Sequence, residues 1–460
     1  MHQQVKRLAA VAVMLFGAVT GSAQADRVDD YIARQMAINH VPGVALAIVR
    51  DGKIAKMKGY GMANLEWRQA VTADTAFQLA SSTKPFTGIL LMRLQEEGRL
   101  NLSDSVAKYL PDAPESWRPV TLRHLADHSS GIPDNVRGAG KTLDEFVAAA
   151  KALPLAHAPG ASAEYGIAGY TVLSKVIEVA SGMPYTQALR QYVTGPLGLH
   201  ADFEYSTGTG DMRATEVVPQ RAGVYEWSDS RFRNFNFHYG PLSYDAGGLL
   251  ASASDLAKVA AALDGGAFLR KESVAEMWRP ARLGNGEMNG FGVGWVVKEI
   301  DGRRTVGHSG GPALADILRY PEERMTFVVL TNGKSLYPYL AQGVSEIYLP
   351  PVAAPMPKGI ADGMPQVTAA MRKTIADGVA GRVDEDLFSE QARKGFVPDY
   401  RTFLLPYLRS LPQVEELVLV AEKPADEGVR RTYRARHGNK DVTWQVDVDK
   451  EGKLLGFGPK

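Results

Sequence analysis

Apolar residues recur at helical spacing in some stretches of this chain and in continuous or alternating runs in others, and the switches outline its elements. Tyr31, Ile32, Gln35 and Met36 are spaced by about one turn, which predicts a helix over 29–38. Pro42-Gly43 interrupts it. Val44 to Arg50 is a β-branched, apolar run, Asp51-Gly52 is a hairpin turn signal, and Lys53 to Tyr60 reads as the return strand. Residues 81–97 carry the clearest helical spacing, through Phe86, Ile89, Leu90, Arg93, Leu94 and Glu97. Ser81, Ser82 and Thr83 are cap-type residues before it, Pro85 suits a first turn, and Gly98 suits a stop. Val172, Leu173, Val176, Ile177 and Val179 predict a helix over 169–181, and Ser254 is read as the cap of another over 254–263. Arg304 to Val306, Ala313 to Tyr320 and Met325 to Thr331 read as consecutive strands.

Two stretches break the pattern. Residues 205–242 lack periodicity and mix Gly, Asp, Arg and Asn with Tyr225, Trp227, Phe232, Phe235, Phe237 and Tyr239. They read as a long surface excursion that either walls a cleft or packs itself down. Prolines at 350, 351, 355, 357 and 365, with Gly359 and Gly363, mark a linker over 350–365. Beyond it, 366–460 alternates helical segments near 366–380, 385–394 and 399–410 with strands near 414–422, 428–436 and 441–448. That predicts a small α+β module. Within it, Arg430, Arg431, Arg434 and Arg436 are read as the charged face of a solvated edge strand.

Composition adds limits. Of 460 residues, 45% are hydrophobic and 22% charged, an ordinary globular balance. A net charge of +1 gives no overall pull towards nucleic acid or an anionic surface. With no cysteine, disulfides, thiolate catalysis and thiolate-ligated metals are excluded. Lys6 and Arg7, the apolar run Leu8 to Val19 and then Ala23-Gln24-Ala25 have the layout of a signal peptide over 1–25. The run is shorter than the ~20 residues of a membrane span. The chain is therefore expected to be exported, to the periplasm or the medium, with no membrane span.

The chemistry centres on Ser81-Ser82-Thr83-Lys84. Residues three apart share a helix face, so an amine at 84 can reach a hydroxyl at 81. A serine hydroxyl needs a neighbouring base, and a lysine serves only if its pKa is lowered. Gly307-His308-Ser309-Gly310-Gly311 also spells the nucleophile elbow of α/β-hydrolases, but Pro312 and a strand follow, where the elbow needs a helix, and only His437 lies downstream. His124 and His128 are four apart. Without the zincin glutamate or a third ligand, they are assigned a structural role at a helix end.

In order along the chain come Asp74 to Thr87 around Ser81; Thr121 to Pro133; Pro159-Gly160 through Tyr165 to Tyr170; Pro196 to Leu199; Ala246-Gly247-Gly248-Leu249; Gly292 to Trp295; and Gly307 to Gly311. This series resembles the serine β-lactamase and penicillin-binding-protein superfamily, in its class C-like branch, over roughly residues 28–335. The resemblance implies an α/β sandwich, an antiparallel sheet flanked by helices, with a helical lobe around 100–230 and a hydrolase domain over 26–349. It implies Ser81 as nucleophile, Lys84 as its proton partner and Tyr165 as the phenol that passes the proton to the leaving group. The sequence leaves open whether Lys84 or Tyr165 holds the shared proton at rest. The N–H groups of Ser81 and Gly311 form the implied oxyanion hole, and His308, Ser309, Gly310 and Trp295 the implied substrate contacts, with a core position as the alternative for Trp295. No metal or organic cofactor is implied. Where the family has Tyr-x-Asn, this chain reads Tyr165-Gly166-Ile167. Ile167 cannot hydrogen-bond a substrate amide, which points to carboxylic esters or small amides. A D-amino-acid or DD-peptidase, a weak β-lactamase and a lapsed, non-catalytic binding protein are the alternatives.

Overall fold

The computed structural model describes residues 27–136, 142–204, 216–235, 237, 239–311, 313–334, 340–351, 355–425, 427–438 and 440–459. The expected signal peptide lies outside them, as do residues 205–215, 236 and 238 of the 205–242 excursion. The chain forms two compact units: Val41–Lys334 with Leu340–Gln342, and residues from Gly343 onward with the described residues before Val41. Among the described residues no helix is long and apolar enough to cross a membrane.

The larger unit is built on an antiparallel sheet. Its strand order is Gln69–Ala70, Lys53–Asn64, Gly43–Arg50, Met325–Lys334, Ala313–Tyr320, Arg303–Gly310 and Val296–Ile300. The hairpin of Tyr225–Ser228 and Arg231–Asn234 joins where Tyr225 pairs with Gly333. Val44 opposes Thr331 and Ile48 opposes Phe327 in the two central strands. Nearly every residue of both is buried, which explains their continuous apolar runs: a strand covered on both faces loses the alternation of a half-exposed one. The helix Ala253–Gly265 packs on them. Its cap is Ser252, not Ser254; the Ser252 hydroxyl accepts from Asp255 N–H at 3.1 Å.

The helix Lys84–Glu96 lies between the strand Arg303–Gly310 and the helices Tyr185–Leu189, Tyr244–Gly247 and Lys271–Met277. Ten of its residues are buried, Phe86, Ile89, Leu90, Leu91, Met92 and Leu94 among them. Burying each large apolar side chain contributes roughly 1.5–3 kcal/mol. Gly88 is required here, because a Cβ would fall on the Val293 carbonyl oxygen. The expected helical lobe is present, with Leu122–Ala126, Leu143–Lys151 and Ala168–Ser181 packed together. It also contributes a short strand, Asp202–Phe203, which pairs with Leu249–Ala251, as does Phe77–Gln78 on the other side.

The second unit contains helices Pro365–Val379 and Leu405–Ser410 and a four-strand antiparallel sheet in sequential order: Glu416–Ala425, Gly428–His437, Lys440–Asp449 and Leu454–Pro459. The last strand was not foreseen. Gly428–His437 is an inner strand, which corrects the solvated-edge reading. Arg430 and Arg436 pair across strands with Asp447 and Asp441. Arg431 is fully buried, held by Glu422 at 2.8 Å, the Tyr433 hydroxyl at 2.6 Å and Asp362. The unit has its own core, including Met371, Phe388, Tyr400, Tyr433 and Trp444.

Candidate active site

Strand pairing sets the entry to Ser81. Gln78 opposes Leu250, and Leu79 N–H then donates to the Leu249 carbonyl at 2.9 Å. At Ala80 the backbone turns to φ +48°, a left-handed conformation that costs a non-glycine residue about 1 kcal/mol or more. A 3₁₀ turn, Ala80–Thr83, carries Ser81 and runs straight into the helix that begins at Lys84. The hydroxyls beside Ser81 do not cap this helix, as the sequence suggested. Ser82 Oγ reaches the carbonyls of His308 at 3.0 Å and Ala315 at 2.7 Å, and Thr83 Oγ1 accepts from Leu249 N–H at 3.2 Å. They pin the turn to the sheet and leave Ser81 half-buried at its surface.

Lys84 follows Ser81 by three residues and points back at it. Its Nζ donates to Ser81 Oγ at 3.5 Å and to the Ala246 carbonyl at 3.0 Å. It lies 4.8 Å from the centre of the Tyr165 ring and 5.2 Å from that of Tyr170. Burial pulls its pKa down to about 8; the nearby charges of Asp245 and Asp134 oppose the fall. Tyr165 is 48% exposed, so it borders solvent. Desolvation raises its pKa, while its hydrogen bond with Ser81 works against the rise. The serine, the amine and the phenol therefore meet in one place.

Two neutral imidazoles adjoin the amine. His308 is buried, and its Nδ1 faces the Ser309 carbonyl at 2.9 Å. A carbonyl only accepts, so Nδ1 carries the proton and Nε2 is the free acceptor. Burial, reinforced by the Lys84 charge, pulls its pKa down to about 3. The site thus holds an uncharged ring at His308. The His128 ring lies 4.5 Å from that of Tyr165, tilted by 42°, and its Nδ1 accepts from Gly166 N–H at 3.4 Å. Burial and the Lys84 charge keep it neutral too. His124 does other work: its Nδ1 accepts from Thr121 N–H in a capping box. The loop with His128 is held by Asn289, which donates to the Asp127 carbonyl at 2.9 Å.

Gly310 presses on the Ser81 turn. A Cβ there would fall on the Leu79 carbonyl oxygen and within 3.0 Å of Ser81 N. Gly311 follows it in the chain, exposed and with open space around it. Ser309 turns away; its Oγ donates to the buried Asp316 at 2.8 Å, so its hydroxyl serves the sheet. Trp295 is buried against Trp278 and lines an internal apolar pocket with Phe86 and Ile317, which is the core position. Ile167 sits at the rim, 39% exposed. Its N–H and that of Ala168 both donate to Asp134 Oδ1, at 2.6 and 2.7 Å, anchoring the helix Ala168–Ser181. The elbow reading of Gly307–Gly311 fails, since these residues lie in and just after a strand that returns as another strand.

Three contributors escaped the sequence reading. Asp245 is fully buried near Lys84, and desolvation raises its pKa to about 7. It directly precedes the Ala246-Gly247-Gly248 landmark, which was the available signal. Asp134 directly follows the Thr121 to Pro133 landmark in the same way. Tyr239 was noticed only as one aromatic among six, yet its hydroxyl donates to the Gly311 carbonyl at 2.6 Å.

A family profile described as Beta-lactamase matches residues 28–343. The chain is 29% identical over 309 residues to "Penicillin-binding protein 4*" of Bacillus subtilis (strain 168), covering 63% of this chain and 68% of that protein. It is 31% identical over 189 residues to "Protein flp" of Staphylococcus aureus (strain MW2), covering 39% of this chain and 38% of that one. Among solved structures, the octameric penicillin-binding protein homologue from Pyrococcus abyssi superposes with a TM-score of 0.61 at 22% identity, over 93% of this chain and 96% of its own. EstCE1, described as a hydrolase with promiscuous acyltransferase activity, gives a TM-score of 0.60 at 21% identity, over 72% of this chain and 99% of its own.

Proposed function

Because this chain belongs to the beta-lactamase family, we propose that it is a serine hydrolase that forms an acyl-enzyme on Ser81 and acts on carboxylic esters or small amides. One observation carries the reading: a buried amine with its pKa lowered to about 8, 3.5 Å from the Ser81 hydroxyl. Tyr165, its pKa raised, keeps its proton when Lys84 has already lost its own. Neutral Lys84 is therefore the base. It takes the Ser81 proton as Oγ bonds to the substrate carbonyl carbon. The oxygen that becomes negative is received by the N–H groups of Ser81 and Gly311. As the bond to the leaving group breaks, the proton passes from the Lys84 ammonium through Tyr165 to the departing oxygen or nitrogen. Water then repeats the sequence on the acyl-enzyme.

Ile167 supports esters, since it gives an acyl amide nothing to bond. The names of the relatives support the breadth of the proposal: one is a penicillin-binding protein, another a hydrolase with acyltransferase activity. The test is incubation with a fluorophosphonate probe, followed by peptide mass analysis. A single adduct on Ser81 is expected, together with Ser81-dependent turnover of p-nitrophenyl butyrate. Absence of both leaves the binding-protein alternative, and release of D-alanine from D-alanyl amides at a higher kcat/KM replaces the ester assignment with the peptidase one. We also propose export, on the strength of the 1–25 segment; the N-terminus of the secreted protein, expected at Asp26, tests it.

A further inference from the structure

The Gly311 backbone, one residue beyond the contact of Gly310 on Ser81 N, offers two groups: an N–H, assigned above to the oxyanion, and a carbonyl. An acyl donor with an amide N–H next to its reacting carbonyl lies extended along such a strand end and pairs that N–H with a backbone carbonyl. Here the Tyr239 hydroxyl already donates to the Gly311 carbonyl at 2.6 Å. The phenol is fixed in place independently. Its ring lies so close over Gly247 that a Cβ there would overlap it, and Phe237 packs edge-on at 5.0 Å. The Phe237 carbonyl is itself held by Gln78 Nε2 at 2.9 Å, two residues before the strained Ala80. Burial pushes the phenol's pKa up, so it remains a donor at ordinary pH. Across the site, Ile167 has no polar side-chain atom and its N–H belongs to Asp134.

We propose that Tyr239 is a specificity-determining residue: by occupying the Gly311 carbonyl, it leaves the site to acyl groups that carry no N–H beside the reacting carbonyl. The proposal rests on the Ser81 hydrolase reading and narrows its substrate class to plain acyl esters. A carbonyl oxygen has a second lone pair, so the effect is a graded preference. The substrates that isolate it are p-nitrophenyl N-acetylglycinate and p-nitrophenyl 4-oxopentanoate, which differ only by NH in place of CH2. The readout is the ratio of their kcat/KM values, which is independent of how much enzyme is folded. In the unaltered protein the ratio is expected at or below one. In Tyr239→Phe, which keeps the ring over Gly247, it should rise about tenfold, the worth of one recovered hydrogen bond. Tyr239→Leu should move it the same way. A ratio above about ten in the unaltered protein, or one unmoved in both variants, overturns the proposal. Turnover that survives Ser81→Ala overturns the hydrolase reading and this inference with it; loss of turnover in Ser81→Ala with an unmoved ratio overturns this inference alone.

Discussion

The amine of Lys84 stands 3.5 Å from the hydroxyl of Ser81 while donating to the Ala246 carbonyl at 3.0 Å. The carbonyl fixes where the amine points, and burial fixes how readily it gives up its proton. Position and basicity are thus set by different neighbours.

That separation has a pH signature. Only the neutral amine can accept the Ser81 proton, so kcat/KM for an ester should climb with pH and level off above about 8, where Lys84 titrates. Neither His308 nor His128 should add an acid limb near 6.5, because both are held neutral. Lys84→Ala should lower kcat/KM by roughly 10²–10⁴. A pH–rate profile from 5 to 10 checks both; a bell centred near 6.5 contradicts the assignment.

Asp245 should move that limb. Its buried carboxylate is among the charges that favour a protonated Lys84, alongside Asp134, while the neutral rings of His128, His308, Tyr165 and Tyr170 occupy the other sides. Asp245→Asn removes the attraction, so the Lys84 pKa falls and the ascending limb shifts to lower pH. The same profile, repeated on the variant, checks it.

Holding a lysine at this site weakens the fold. Folding lowers the Lys84 pKa from 10.5 to about 8, so between those values the unfolded chain binds more protons and stability rises with pH. Below about 8 the full penalty stands, on the order of 3 kcal/mol. Lys84→Met should therefore lower kcat/KM as Lys84→Ala does and raise the melting temperature at neutral pH. Asp245, already titrating at about 7, takes up a proton when its partner is removed. Calorimetry of the two proteins at pH 7 decides it.

Gly310→Ala should cost activity far beyond its size. Its methyl group would meet the Leu79 carbonyl oxygen and Ser81 N, both backbone atoms, so strand and turn must part. Overpacking of this kind costs about 1–3 kcal/mol of stability. The separation of Gly311 from Ser81 should lower kcat by 10²-fold or more. Stopped assays beside a thermal melt distinguish the two effects.

Much of the fold was legible because its signals are local. The apolar run of Val44–Val49, the Asp51-Gly52 turn and the spacing along Phe86–Leu94 each depend on neighbouring residues alone. Ser81 and Lys84 were legible for the same reason, lying one turn apart. Tyr165 needed the family resemblance, because nothing within its own segment reports that it will meet Lys84. Asp245 and Tyr239 were hidden because their roles arise from burial and from a carbonyl 72 residues away. Arg431 misled because an inner strand and an edge strand can carry the same charged alternation; only the pairing on both sides of Gly428–His437 shows which it is. The cap of the helix Ala253–Gly265 slipped by two residues, since Ser252 and Ser254 are chemically alike.

Glycines 88, 294 and 310 bring main chain against main chain around the Ser81 turn and its helix: Gly88 on Val293, Gly294 on Lys84 and Gly310 on Leu79. A peptide group has no rotamers, so mutations there find no accommodating neighbour. Ile167, Phe237 and Tyr239, by contrast, line the rim with side chains that can be exchanged one at a time. Tolerance to substitution is therefore divided: main-chain contacts around Ser81 resist a change of residue, while the side chains at the rim accept one.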